Sequence, residues 1–201
     1  MSPINPHRLH RLSGILIALF VGLHLVNHLA SLFGPGAHIE LMEQLRMVYR
    51  HVLAESLLLT AVVIQIISGT RLFLAKRRTA AGFYEQLQIR SGLYLAFFFL
   101  IHVGAVMTGR YVLQLDTNFY FGAAGLNVFP FNLFFLPYYG LAILSFFGHL
   151  AALHYRIRKR ATQAKLILGL GAVIAVAVLY GMTGGFSGVD IPEAYRVLVG
   201  G

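Results

Sequence analysis

Two stretches of this chain repeat one another around a histidine. Ser13-Gly14 is followed ten residues past the glycine by His24, and Ser91-Gly92 is followed at the same interval by His102. Ala18 and Phe20 in the first copy match Ala96 and Phe98 in the second, and the intervening residues are apolar. A neutral imidazole in an apolar helix needs a partner for each ring nitrogen, so each of these histidines is a functional candidate. Two at matched positions suit the two axial ligands of one haem b, with iron on one nitrogen of each ring and a carbonyl or hydroxyl on the other. The alternative is two unrelated histidines, each hydrogen-bonded to a neighbouring helix. Gly22 and Gly104 lie two residues from their histidines and are expected to leave room for a porphyrin.

Other polar residues are also candidates. His149 stands in a fourth apolar stretch, with Gln65 at comparable depth in the second. Gln is a poor haem ligand, so the pair is expected to share a hydrogen bond or line a polar site, and a second haem is not expected. Arg71 lies beyond Gln65 and is placed to reach a haem propionate or to snorkel. His51 and Glu55 are spaced i,i+4, which suits proton acceptance from a quinol. Equally, they could be a polar helix start, with Arg46 and Arg50 among lipid headgroups. His7, His10 and His38 are expected in tails or loops without a role, and His154 at the membrane boundary.

The elements that must carry these residues are membrane spans. The chain has 201 residues, 58% hydrophobic and 11% charged. Its charges cluster between apolar runs that pass the ~18-residue threshold for a span. Five are expected, at about 11–33, 47–75, 90–112, 131–156 and 164–184. A soluble bundle is excluded because too little polar surface remains to cover it. At 1.5 Å per residue, each histidine lies ~15 Å beyond its glycine, near mid-membrane. The fold class is therefore all-α, a five-helix transmembrane bundle, in one domain over residues 1–201. The fifth span is expected to be structural only, and most glycines to serve close helix packing.

The net charge of +9 does not point to nucleic acid. With the N-terminus inside, the inner segments hold twelve of the sixteen basic residues, including Arg8, Arg11, Arg77, Arg90 and the run from Arg156 to Arg160. Six of the seven acids fall outside. This positive-inside pattern predicts an inner N-terminus and an outer C-terminus, with the basic clusters beside anionic lipid or a docked soluble partner. The first run is long and carries His24, Asn27 and His28, so it reads as a signal anchor rather than a cleaved peptide. Residues 37–50 are expected along the outer interface, and 113–130 as a long outer loop. Having no cysteine, the chain can form no disulfide, thiolate metal site or covalent c-type haem link.

Five spans, the opening Arg8-Leu9-His10-Arg11-Leu12-Ser13-Gly14 and a histidine in the first span resemble the cytochrome b membrane subunit of succinate dehydrogenase/fumarate reductase (complex II), in its single-chain five-helix form. The resemblance covers roughly residues 8–182. It implies a b haem between the first and third spans, on His24 and His102. It implies a second between the second and fourth, with His149 of Phe147-Gly148-His149 as one ligand. The other ligand in that family precedes a glycine by four residues, and here Gln65 before Gly69 stands in its place. It further implies a bacterial-type cytoplasmic membrane, a quinone, and soluble iron–sulfur and flavoprotein partners. Two other roles fit the same residues: a haem-free anchor or accessory subunit of a respiratory or photosynthetic complex, and a stand-alone membrane cytochrome b.

Overall fold

The computed structural model describes residues 6–200, and all regular structure among them is helical. Helix α1 (Pro6–Leu29) continues into a 3-10 turn (Ala30–Phe33) and is followed by α2 (Pro35–Tyr49), α3 (Val52–Lys76) and α4 (Phe83–Tyr111). Then come α5 (Phe119–Asn127), α6 (Asn132–Arg158), α7 (Ala161–Met182), the short α8 (Glu193–Arg196) and a last 3-10 turn, Val197–Val199. Five helices are long and apolar enough to cross a membrane: α1 with its 3-10 extension, α3, α4, α6 and α7. The chain is a multi-pass membrane protein on that ground.

The spans agree with the hydropathy reading except at their ends. His51 is extended (φ −60°, ψ 134°) and separates α2 from α3, so the second span starts at Val52 rather than 47. Helix α4 starts at Phe83, seven residues before the expected 90, because a helix can run past the bilayer into charged turns. Lys159, in the left-handed region (φ 56°), ends α6. The segment expected as an irregular loop at 113–130 contains α5, whose first turn is capped by Asn118 Oδ1 accepting from the Tyr120 N–H at 3.0 Å.

The five spans form a closed ring. Consecutive spans pack together, and α7 returns to α1. Contacts give their directions: the first turns of α1 meet the last turns of α3 (His10 with Ser68), and the end of α4 meets the start of α3 (Arg110 with Glu55). Helices α1 and α4 therefore run the same way and face one another across the interior. The end holding the start of α1 is called proximal below, and the other end distal.

The core is concentrated distally. Leu25, Phe119, Leu126, Ile143, Phe147, Val178 and Met182 form one cluster joining α1, α5, α6 and α7. Elsewhere many large apolar side chains face outward, as Leu19, Leu57 and Leu166 do. This is the inverse of a soluble bundle and matches a lipid-facing wall. Helices α2 and α5 cover the distal end, and His38 and Phe119 are the largest fully buried side chains, with ring centres 5.4 Å apart. The tail is tied to this cap, since Tyr195 donates to Asp116 O at 3.0 Å and Asn127 donates to Met182 O at 3.0 Å.

Candidate functional site

The ring encloses a cavity of about 270 Å³. His24 on α1 and His102 on α4 both line it, with ring centres 6.2 Å apart and planes at 66°. The helices that carry them are separated by α3 on one side and by α6 and α7 on the other, so the rings meet over open space rather than over a packed interface. Each imidazole stacks on the phenylalanine four residues before it. Phe20 and His24 have centres 5.6 Å apart at 18°, and Phe98 and His102 are 4.9 Å apart at 12°. A residue four positions earlier lies on the same helix face, so the repeat in sequence is a repeat of ring-on-ring supports. Tyr139 of α6 stands edge-on to His102, centres 6.2 Å apart.

His24 heads a chain of polar groups toward the distal cap. Its Nε2 lies 3.1 Å from His28 Nε2, and His28 Nδ1 lies 3.2 Å from His38 Nε2. Asn27 Nδ2 donates to His38 Nε2 at 3.2 Å. Asn27 Oδ1 and His38 Nδ1 are buried with no partner. His38 was expected in a loop with no role, but α2 folds over the end of α1 and buries it to 2% exposure. Burial, then the charges of His24 and Arg46, hold its pKa down at about 4. Sequence spacing could reveal His28, one turn from His24; it could not reveal His38, which reaches the site only through the α2 fold-back.

The distal mouth of the cavity is charged. Arg46, Arg50 and Arg110 all line it, with Glu55. Arg110 is ion-paired and hydrogen-bonded to Glu55. Arg46 Nη1 donates to Glu43 at 2.7 Å, and its Nη2 lies 2.7 Å from Asp116 Oδ1. Burial works against the Arg46 charge, but contact with Asp116 and the field of Glu43 more than offset it, and its pKa is raised. Among the described residues the Arg50 side chain donates to the Thr117 hydroxyl alone, at 3.0 Å. His51 is exposed and outside the cavity, and among the described residues the side-chain partner of Glu55 is Arg110 rather than His51. Glu55 turns to Arg110 because the start of α3 packs on the end of α4.

The proximal half contains a second repeat, and it corrects the expected His149–Gln65 pair. Gln65 Nε2 donates to Ser13 Oγ at 2.8 Å and to the His10 carbonyl. His149 Nδ1 lies 3.1 Å from the Gln88 carbonyl and 3.4 Å from Ser91 Oγ. Ser13 and Ser91 each donate to the carbonyl four residues back, so both hydroxyls can accept. In each copy one side chain from the next span reaches a serine hydroxyl and the carbonyl three residues before it. Gly14 and Gly92 make this approach possible: a Cβ there would stand 3.2 Å from Gln65 Nε2 and 3.3 Å from His149 Cε1. Gln65 and His149 therefore serve separate halves of the ring.

Gly22, Gly104 and His10 depart from expectation, whereas the placement of Arg71 fits its snorkelling alternative and that of His154 agrees with the boundary position expected. Gly22 and Gly104 do not line the cavity, and a Cβ on either meets nothing within 4 Å. Two residues along a helix is about 200° around it, so they face away from the histidines. Arg71 is exposed and outside the cavity, on the opposite side of the membrane from its charged mouth. His10 belongs to α1, with Nδ1 2.7 Å from Ser68 Oγ. His154 lies 2.8 Å from Gln163 Oε1, near the proximal α6–α7 turn.

The residues can be tested against a haem. Two imidazoles bonded at ~2.0–2.1 Å to opposite sides of one metal ion have ring centres roughly 6 Å apart, which is the separation of His24 and His102. The walls are apolar, and three arginines gather at one mouth; Arg46 and Arg110 are engaged by Glu43, Asp116 and Glu55, and Arg50 has donors to spare for a carboxylate. Ligation through Nε2 requires His24 to give up its contact with His28. Among the described residues no group of three or more His, Asp or Glu side chains is placed to hold a metal ion by itself. The donor set suits a group that brings its own equatorial ligands. No protein-family model matches this chain, and neither does any curated protein or any solved structure.

Proposed function

We propose that the chain is a membrane cytochrome b subunit with one b haem on His24 and His102, built like the single-chain membrane subunit of complex II. The observation that carries this reading is the His24–His102 pair, with ring centres 6.2 Å apart across a cavity and each ring backed by its own phenylalanine. A haem held there would carry single electrons between a membrane quinone and soluble iron–sulfur and flavoprotein subunits. Phe20 and Phe98 restrict ring rotation and so preorganise the two donor nitrogens. The apolar walls contributed by the spans keep water from them. Arg50, which among the described residues hydrogen-bonds through its side chain to the Thr117 hydroxyl alone, has donors to spare for a carboxylate, while Arg46 and Arg110 are paired with Glu43, Asp116 and Glu55.

The charge asymmetry supports an inner proximal end and an outer distal end, in a bacterial-type cytoplasmic membrane. The basic proximal loops are then the docking face for the soluble subunits, and the quinone is assigned to the distal side near Glu55. A reduced-minus-oxidised spectrum of the purified chain tests this: a b-type signal is expected, and its absence from freshly solubilised protein contradicts it.

A haem-free anchor is the second reading. It is favoured by the run of contacts His24–His28–His38–Asn27, which engages His24 without a metal.

A further inference from the structure

The geometry points to a binding site for an anionic phospholipid at the proximal membrane boundary, in the groove between the end of α3 and the start of α4. A second cavity, of about 320 Å³, lies there, lined by Phe73, Arg77 and Ala80 from the α3 side and Gln86, Ile89, Arg90 and Leu93 from α4. Phe73 and Arg77 are spaced i,i+4. Gln86, Ile89, Arg90 and Leu93 follow i, i+3, i+4, i+7. Each set is a single helix face, so two stripes look into one groove.

Arg77, Ala80 and Gln86 lie toward the turn between the helices, Phe73 and Ile89 lie farther along the spans, Arg90 follows Ile89 on α4, and Leu93 lies deepest. Neither guanidinium has an ion-pair or hydrogen-bond partner among the described residues. The nearby acid, Glu85, is committed elsewhere: its Oε1 lies 3.8 Å from Lys76 Nζ, and its Oε2 accepts from the Ala81 N–H at 3.0 Å.

Two unpaired guanidiniums beside Phe73, Ile89 and Leu93 match a phosphodiester headgroup with the start of its acyl chains against those side chains. The Gln86 amide adds a neutral donor. The volume favours a headgroup over a single ion, since a water molecule takes about 30 Å³ of liquid. A soluble phosphate compound shares the headgroup's chemistry but would leave Phe73 and Leu93 unfilled. The site stands apart from the haem reading, because it lies at the other end of the ring from the charged mouth and uses none of its residues.

The test is native mass spectrometry of the detergent-purified chain after incubation with phosphatidylglycerol or phosphatidylcholine micelles, with millimolar inorganic phosphate as a competitor. Phosphatidylglycerol is expected to be retained over phosphatidylcholine. Retention should weaken about five-fold in R77Q and again in R90Q, from the ~1 kcal/mol that one basic residue contributes at a membrane surface. R90K should retain most of the binding, and R158Q, at another proximal basic cluster, all of it. Equal retention of both lipids, equal retention in R77Q and wild type, or full displacement by phosphate would each overturn the assignment.

Discussion

Gln65 addresses Ser13 as His149 addresses Ser91, each reaching a serine hydroxyl and a carbonyl three residues upstream across a glycine. The Ser-Gly pairs are thus the proximal locks of two similar halves, α1 with α3 and α4 with α6. The two histidines ten residues on occupy the space those halves enclose. The Gln65 amide is engaged by α1. Replacing Gln65 with leucine should leave the Ser13 hydroxyl and the His10 carbonyl without their donor. A loss of about 1–3 kcal/mol is expected, seen as a lower unfolding temperature in detergent with haem content unchanged.

The ion pair between Arg110 and Glu55 joins α4 to α3 at the cavity mouth, with about a fifth of each side chain exposed. Glu55→Gln should leave the guanidinium without its counter-charge at a cost of roughly 1–3 kcal/mol, below that of a fully buried pair. A double-mutant cycle with Arg110→Gln should return a coupling of like size. Additive effects of the two changes would remove the pair as a clamp.

Close packing of α7 on the α1 extension sets a contrast between glycines. A Cβ at Gly181 would stand 2.8 Å from the Leu32 backbone nitrogen, whereas one at Gly22 meets nothing. Gly181→Ala should destabilise by about 1–3 kcal/mol. Gly22→Ala should be neutral or stabilising by up to ~1 kcal/mol and should leave haem content unchanged. Thermal unfolding and haem assay on the two variants check both statements.

His38 makes the distal cap sensitive to acid. Its pKa is about 4 in the folded chain against an ordinary 6.5. Unfolding releases it to bind a proton, so its contribution is fully present above pH 6.5 and is lost as pH falls toward 4. The loss is of order 3 kcal/mol. Unfolding temperatures between pH 7.5 and 4.5 should fall for the wild type and much less for His38→Gln. Parallel curves for the two would show that another group is responsible.

The apolar runs made the spans legible, because a span has to be long and uncharged whatever it packs against. The repeat made His24 and His102 legible, since equal spacing into parallel helices places residues at equal depth. Pairing across the ring was not legible. Gln65 and His149 lie at similar depth but belong to different halves, and only the contacts of α1 and α4 distinguish sharing a bond from serving separate partners. His38 and the arginine mouth were hidden for a related reason: α2 and α5 fold back over the distal end, and no periodicity records which span they cover. Gly22 and Gly104 are near their histidines in sequence but about 200° away around the helix, so nearness along the chain says nothing of a shared face.

The most direct measurement of the central proposal is the ratio of haem to polypeptide in purified wild type, His24→Ala, His102→Ala and His149→Ala, read with the reduced-minus-oxidised spectrum. The account predicts about one b haem per chain in the wild type and in His149→Ala, and loss of the signal in each of the other two. A wild type without haem, or a haem that survives both His24→Ala and His102→Ala, would contradict it.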